Sequence, residues 1–315
     1  MSDGHQADKE AGKSRPVYPA RGVHDPCLIR DGEYVYLFCT GSGVPIRRSR
    51  DLVRWEPAGR VFAGDDLPSW AREAIPGSDR PWAPDIALLN GRFHLYYSVS
   101  TFGKNRSLIG LATSPTLDPA KRGYGWRDEG KVFESFPQDD YNAIDSHVLK
   151  VGRDRLIFTF GSFWGGIQLV EADPATGKPR PGAKPVNVAR RPSPGAVEAP
   201  FLERRGDWYY LFVSFDFCCR GVNSTYNVRV GRSRAPEGPY VDRDGVRMLD
   251  GGGTPVVKTE GSVVGPGHCA VFEDRRHYLA YHFYDPAQNG VPTLQIRPLS
   301  WDRDGWPVPG SPLAP

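Results

Sequence analysis

The sequence predicts an all-β protein, a five-bladed β-propeller with four-stranded blades and an active site at one mouth of the central channel. Five segments recur along the chain, and each begins near an acid or a histidine and continues into an apolar, aromatic run. Helical periodicity is nearly absent and is confined to a short stretch around residues 67–75. A β-sandwich with a similar number of strands is the competing fold, but it does not explain periodic anchor residues.

The anchors of the five segments are separated by 60, 60, 53 and 70 residues. If each repeat is one blade, the anchors open at the same mouth of the channel. An acid at the start of a strand can also cap a turn, but a turn cap does not require the variation of residue type that the repeats show. The sequence therefore predicts that these side chains meet: Asp25, Asp85, Asp145, Glu198 and His268.

Each repeat predicts four strands: an anchor strand, an aromatic strand, a third strand and an outer edge. The aromatic strands are predicted at residues 34–38, 93–97, 156–160, 208–212 and 277–281. The third strands are predicted at 47–52, 108–114, 166–172, 228–233 and 294–299. The repeats exceed the usual blade length of about 40–50 residues, so we expect insertions, the longest at 61–79 and 179–194.

Composition limits the classes of function. The chain has 315 residues, a net charge of +3 and scattered Lys and Arg, which gives no electrostatic basis for binding nucleic acid. No apolar run is long enough for a membrane span. We expect a polar tail over residues 1–17 and one catalytic domain over 18–315, most simply a monomer. The tail has no secretion signal, so we expect either a cytoplasmic protein or an exported one whose signal was removed.

The five cysteines show no C-x-x-C spacing, which argues against a zinc knuckle. Cys27, Cys39 and Cys269 lie in predicted core strands and are expected to be buried thiols. Cys218 and Cys219 are adjacent, and either a vicinal disulfide or two free thiols is possible, with the disulfide preferred.

Separated carboxylates and a histidine at one centre suit acid–base chemistry. Two carboxylates on opposite sides of a glycosidic bond suffice for hydrolysis, one protonated and one ionised. The chain also holds 8 Trp and 14 Tyr. Aromatic ring faces pack on sugars, although sheets favour aromatic residues in any case.

Eight motifs together resemble the endo-1,5-α-L-arabinanases of glycoside hydrolase family 43. They follow one another in order from about Val23 to Pro307, nearly the whole chain. They lie at residues 24–26, 82–86, 98–103, 141–145, 161–166, 197–201, 215–226 and 265–268.

The resemblance implies a five-bladed propeller that inverts the anomeric carbon. Asp25 would be the general base, Glu198 the general acid, and Asp145 the residue that raises the pKa of the acid. His268 would ligate a calcium ion with waters, although a core histidine is the alternative. Residues expected to contact the substrate are His24, Trp82, Asp85, Phe102, Asn142, Ile144, Ser162, Trp164 and Arg220.

The expected activity is endo-hydrolysis of α-1,5-L-arabinofuranosidic linkages in arabinan or arabino-oligosaccharides. One alternative is an exo-acting α-L-arabinofuranosidase or β-xylosidase of the same fold. A second is a carbohydrate-binding propeller without activity, against which the three intact acids argue.

Overall fold

The computed structural model describes residues 20–63 and 67–314, and its strands form five antiparallel sheets arranged in a ring. The predicted five-bladed propeller is confirmed and the sandwich is excluded. The predicted tail over residues 1–17 lies outside the described residues. Among the described residues, no helix is both long and apolar enough to cross a membrane.

Each blade is built from consecutive strands, as the repeats predict. Blade 1 holds β1 (Cys27–Asp31), β2 (Tyr34–Phe38), β3 (Pro45–Ser49) and β4 (Glu56–Arg60). Blade 2 holds β5 (Trp82–Leu89), β6 (Arg92–Val99), β7 (Ser107–Ser114) and β8 (Arg127–Ser135). Blade 3 holds β9 (His147–Val151), β10 (Arg155–Phe160), β11 (Ile167–Asp173), β12 (Lys178–Pro179) and β13 (Val186–Ala189).

Blades 4 and 5 complete the ring. Blade 4 holds β14 (Val197–Arg205), β15 (Trp208–Phe215), β16 (Asn227–Ser233) and β17 (Thr254–Val257). Blade 5 holds β18 (Val264–Asp274), β19 (Arg276–Asp285), β20 (Val291–Trp301) and β21 (Pro307–Pro309).

Both predicted insertions have a structural counterpart. The first contains the one α-helix of the described residues, α1 (Ser69–Ala74), whose buried Ala71 packs between blades 1 and 2. The second divides the outer edge of blade 3 into β12 and β13, which both pair with β11. Three short 3-10 turns lie at Gly221–Asn223, Met248–Asp250 and Pro286–Gln288.

The core lies between blades because side chains alternate along each strand. On β2, Tyr36 and Phe38 pack toward blade 2, in a cluster with Leu95. Val35 and Leu37 point the other way and pack against Ala280 of blade 5. Each aromatic strand therefore fills two interfaces, which explains why these runs are apolar on both faces.

The five blades share a backbone feature that defines the phase of the repeat. One residue near the start of each first strand has a positive φ, a conformation that costs non-glycine residues roughly 1–2 kcal/mol. These residues are Asp25 (φ 54), Ala83 (φ 41), Asp145 (φ 57), Ala199 (φ 54) and His268 (φ 49). The predicted anchors were therefore out of phase in two blades: Asp85 lies two residues after the left-handed position, and Glu198 lies one residue before it.

Polar side chains at the ends of the second strands hold these left-handed residues. The backbone N–H of Ala83 donates to Thr40 Oγ1 at 2.7 Å, and that of Asp145 donates to Ser98 Oγ at 3.0 Å. The N–H of His268 likewise donates to Ser214 Oγ at 2.8 Å. In each case the acceptor belongs to the preceding blade, so these bonds join neighbouring blades around the channel.

Candidate active site

A cavity of about 1080 Å³ opens at the mouth where the first strands begin. Twelve of the thirteen residues predicted for the site line it; only Asp85 does not. Further lining residues come from the segments 100–104 and 217–221, on loops that follow the second strands of blades 2 and 4. The ring therefore brings distant parts of the sequence to one cleft.

Asp25 is buried and surrounded by donors. Its Oδ1 lies 2.8 Å from Nδ1 of His24 and 3.1 Å from Nδ1 of His268, and its Oδ2 accepts from Thr40 Oγ1 at 2.5 Å. Burial alone would raise the pKa of Asp25, but the charges and hydrogen bonds of His24 and His268 lower it well below the usual value. Asp25 is thus held ionised.

The pKa values of Asp145 and Glu198 are shifted in the opposite direction, upward. Burial, with the negative charges of Glu198 and Asp25, raises the pKa of Asp145 well above its usual value. Burial also raises the pKa of Glu198, although hydrogen bonds from Ser162 and Tyr226 oppose this; the charge of Asp25 adds to the rise. The pair therefore retains a proton where an exposed carboxyl would have lost it.

The orientation of Glu198 is fixed by its neighbours. Ser162 Oγ donates to Glu198 Oε2 at 2.6 Å. Ser162 belongs to blade 3 and forms an isolated bridge with Glu198 across the blade interface. The hydroxyl of Tyr226 forms a second hydrogen bond with the same carboxyl group.

His268 lines the cavity beside Asp25. Burial disfavours its imidazolium form, but the charge of Asp25 and the hydrogen bond to it raise the pKa of His268 to about 9. A ring that carries both protons cannot ligate, so a metal ion at Nε2 would have to displace one of them.

The predicted substrate residues His24, Trp82, Ile144 and Arg220 lie on the cavity wall. Asn142 does too, and its buried Oδ1 has no hydrogen-bond partner among the described residues. An unpaired buried amide oxygen costs free energy, which a sugar hydroxyl would recover by donating to it.

Phe102 and Trp164 are the exposed aromatic residues of the cleft, with 81% and 42% of their surface accessible. Trp164 lies in a loop with Phe163, and both have positive φ. Trp164 is therefore not packed in the core of a blade. Its contact with a sugar stays a prediction.

The predicted cleft position of Asp85 is wrong. Its carboxylate lies deeper in the channel, with Oδ1 3.2 Å from Nδ1 of His147 and Oδ2 accepting from the N–H of Val148 at 3.1 Å. It lines a separate cavity of about 200 Å³. The register of β5 shifts between Trp82 and Asp85, so the strand carries Asp85 inward past the mouth.

Several residues of the site were missed by the sequence analysis. Thr40 and Tyr284 line the cavity, while His282 and Tyr226 are buried beside it. His282 Nδ1 accepts from the N–H of Asp25 at 3.1 Å and its ring stacks on His24. For Thr40, His282 and Tyr284, the signal is a polar side chain just after the end of an aromatic run, whereas Tyr226 lies immediately before β16 and has no such signal.

Cys218 and Cys219 form a vicinal disulfide on the cavity wall, as the sequence analysis preferred. Cys27, Cys39 and Cys269 are buried thiols, also as predicted.

Comparisons with known proteins agree with this geometry. Residues 14–307 match the family described as Glycosyl hydrolases family 43. The chain is similar to an extracellular exo-α-(1→5)-L-arabinofuranosidase of Cellvibrio japonicus, with 41% identity over 90% of this chain and 85% of the relative. It is also similar to an extracellular endo-α-(1→5)-L-arabinanase of Bacillus subtilis, with 40% identity over 90% of this chain and 87% of the relative.

Solved structures give the same result. A Cellvibrio cellulosa α-L-arabinanase complexed with arabinohexaose superposes with a TM-score of 0.87 at 40% identity, covering 94% of this chain and 96% of that one. An exo-1,5-α-L-arabinanase from a bovine ruminal metagenomic library also gives 0.87, at 44% identity over 92% and 97% of the two chains.

Proposed function

The chain belongs to family 43 of the glycosyl hydrolases, and we propose that it cleaves internal α-1,5-L-arabinofuranosidic linkages of arabinan with inversion at the anomeric carbon. The observation that carries the proposal is the opposite protonation of carboxyl groups in one cleft. Asp25 is held ionised while the coupled pair of Asp145 and Glu198 retains a proton, and single-displacement hydrolysis needs one ionised and one protonated carboxyl group.

In this mechanism Asp25 takes a proton from the attacking water. The bonds from His24, His268 and Thr40 fix both oxygens of its carboxylate, so the base is oriented before substrate arrives. In inverting enzymes the two carboxyl groups stand about 6.5–9.5 Å apart to leave room for that water.

Glu198 gives its proton to the departing glycosidic oxygen. Ser162 holds Oε2, and the buried surroundings keep the acid neutral until the bond begins to break. Asp145 supports this role when its own charge opposes ionisation of Glu198.

We include a calcium ion at His268 in the proposal. Within residues 20–63 and 67–314, no group of three or more potential ligand atoms includes His268, so the ion would be weakly held and largely hydrated. A ligating ring must be neutral, with its proton on Nδ1 toward Asp25. Elemental analysis should find calcium in the wild type and lose it in His268→Gln.

An exo-acting enzyme is the second candidate, because relatives of similar identity include one named as an exo-arabinofuranosidase. Two relatives are described as extracellular, and the disulfide on the cleft wall suits an oxidising compartment, so we propose that the protein acts outside the cell.

The test is chromatography of early products from linear arabinan. Endo-cleavage gives a spread of oligosaccharides before monomer accumulates, whereas monomer alone from the first time point would contradict it. Glu198→Gln tests the general acid, because it keeps the shape of the side chain without its transferable proton. We expect a loss of at least about 10³-fold in kcat. Undiminished turnover in that variant would refute the assigned mechanism.

A further inference from the structure

The vicinal disulfide stands at one end of a chain of hydrogen bonds that leads to Asp25. The backbone N–H of Cys219 donates to Tyr284 Oη at 2.7 Å. Tyr284 Oη lies 2.9 Å from Nε2 of His24, and Nδ1 of the same ring lies 2.8 Å from Asp25 Oδ1. Three contacts therefore join a loop of blade 4 to a carboxylate of blade 1.

The direction of each proton follows from the donors and acceptors. A backbone N–H can only donate, so Tyr284 Oη accepts from Cys219. Tyr284 Oη keeps its own proton, which it can donate to Nε2 of His24.

The carboxylate sets the tautomer of His24 at the other end. An ionised Asp25 can only accept, so Nδ1 of His24 must carry the hydrogen that points to it. When the ring is neutral, Nε2 is then the acceptor and the hydroxyl of Tyr284 is its donor. The chain of hydrogen bonds thus allows one tautomer of the neutral ring.

We propose that the Cys218–Cys219 disulfide and Tyr284 are positioning elements of the general base, which fix the tautomer of His24 and through it the orientation of the Asp25 carboxylate. This inference rests on the proposed function, which assigns Asp25 as the base. None of the positioning groups needs to touch the reacting atoms.

The disulfide is needed because packing does not hold this part of the loop. Cys219 and Arg220 are exposed, and Cys219 has φ 65, in the region that L residues avoid. The bond between adjacent residues closes a small ring that restricts the backbone of both. Two free thiols would let Cys219 relax, and its N–H would turn from Tyr284 to water.

The first experiment is reduction with a water-soluble phosphine. Two electrons and two protons convert the disulfide to two thiols while the phosphine becomes its oxide with oxygen from water. All five cysteines fall within the described residues and the other three are already thiols, so this bond is the one that changes. We expect kcat on arabino-oligosaccharides to fall about 5- to 50-fold with KM within about twofold, because the base is misplaced while binding is kept.

Two variants separate positioning from folding. Tyr284→Phe keeps the ring packing against His282 but removes the hydroxyl, and it should lose kcat to a similar extent. Reduction of the disulfide in the Tyr284→Phe variant should cause no further loss of kcat, since both changes break the same chain of hydrogen bonds. Tyr210→Phe is the matched control: it removes a hydroxyl that donates to Gly305 O in the turn between β20 and β21, Tyr210 does not line the cavity, and its kcat should remain that of the wild type.

The spectroscopic readout is the tautomer of His24 in protein labelled with ¹⁵N-histidine. We expect Nδ1–H in the wild type and a loss of that single form in Tyr284→Phe and after reduction. An unchanged tautomer, or a raised KM at constant kcat, would overturn the inference. Asp25→Asn separates the two proposals: if that variant is active, the proposed mechanism fails; if it is inactive while the Tyr284 and disulfide changes have no effect, only the positioning role fails.

Discussion

Burial alone would make all three carboxyl groups of the cleft weak acids, and the neighbours of each one decide the outcome. Asp25 has two histidine rings and a threonine hydroxyl around it, so its ionised form is stabilised. Asp145 lies near other acids, and the counter-charge of His268 does not compensate for its burial. The chemical role of each acid is therefore set by the residues that other blades bring to it.

Asp145→Asn tests this arrangement through the pH profile. When the pair loses its last proton, Glu198 must ionise beside a charged Asp145; the neutral amide of Asn removes that repulsion, so the pKa of Glu198 falls. The acid must be protonated, and the basic limb of kcat/KM should therefore move to lower pH. Asp154→Asn, which removes an exposed acid in the β9–β10 turn, is the control. A basic limb that stays in place in Asp145→Asn would contradict the role of that residue.

Gly267 provides a second test at the level of one residue. A Cβ at this position would overlap the ring of Tyr226, whose hydroxyl is hydrogen-bonded to Glu198. We expect Gly267→Ala to cost about 1–3 kcal/mol of stability and to lower kcat, because the tyrosine must move. In Gly310→Ala the nearest atom to the new Cβ is at an ordinary 3.4 Å. Equal melting temperatures for the two variants would show that Tyr226 can move aside without a loss of stability.

Some structural elements of the site could be predicted from the sequence and others could not. The second strands could be predicted from their aromatic runs, because each must fill the interfaces on both of its faces. The phase of the first strands could not, because the left-handed position is occupied by Asp, Ala, Asp, Ala and His, which share no chemistry. Asp85 matched the pattern of the acids and still lies below the cleft, since a register shift in β5 is not visible in the residue types.

Hydrogen bonds between neighbouring blades fix the position of the left-handed residue in each first strand. Ser98 is fully buried, and its Oγ accepts from the N–H of Asp145 at the start of the neighbouring blade. We expect Ser98→Ala to destabilise the protein by about 1–3 kcal/mol in urea unfolding, because a buried N–H loses its partner. It should also lower kcat by displacing Asp145.

Ser300→Ala is the control for this change. Ser300 is exposed and its hydroxyl donates to Val308 O on the outer edge of blade 5, so the loss should stay within about 0.5 kcal/mol. If the two alanine variants unfold at the same urea concentration, water must replace the lost partner and the bond between blades carries no special stability.

At the scale of the whole molecule, the ring closes where blade 5 meets blade 1. The N–H of Val23 donates to Pro292 O at 3.1 Å, and the N–H of Leu294 donates to Ala20 O at 2.9 Å. The seam matters for function because blade 1 supplies Asp25, whereas blade 5 supplies His268 and His282. A looser seam would separate the base from the histidines that hold it.

The Arg30–Asp274 pair across this seam gives the test. Arg30 Nε donates to Asp274 Oδ1 at 2.8 Å and Nη2 donates to Oδ2 at 2.6 Å, a two-pronged geometry with Asp274 largely buried. A double-mutant cycle to alanine should give a coupling free energy of about 1–2 kcal/mol. Arg30→Ala should also lower kcat.

The Arg50–Glu33 pair is matched in type, but it lies within blade 1 and both side chains are mostly exposed, at 64% and 79%. Its cycle should give less than about 0.5 kcal/mol, with kcat unchanged in Arg50→Ala. Equal coupling energies, or a seam variant that unfolds early yet keeps full kcat, would mean that the geometry of Asp25 does not depend on how tightly the ring is closed. A fall in both stability and kcat for the seam pair alone would show that closure of the propeller and positioning of the base are one property of the fold.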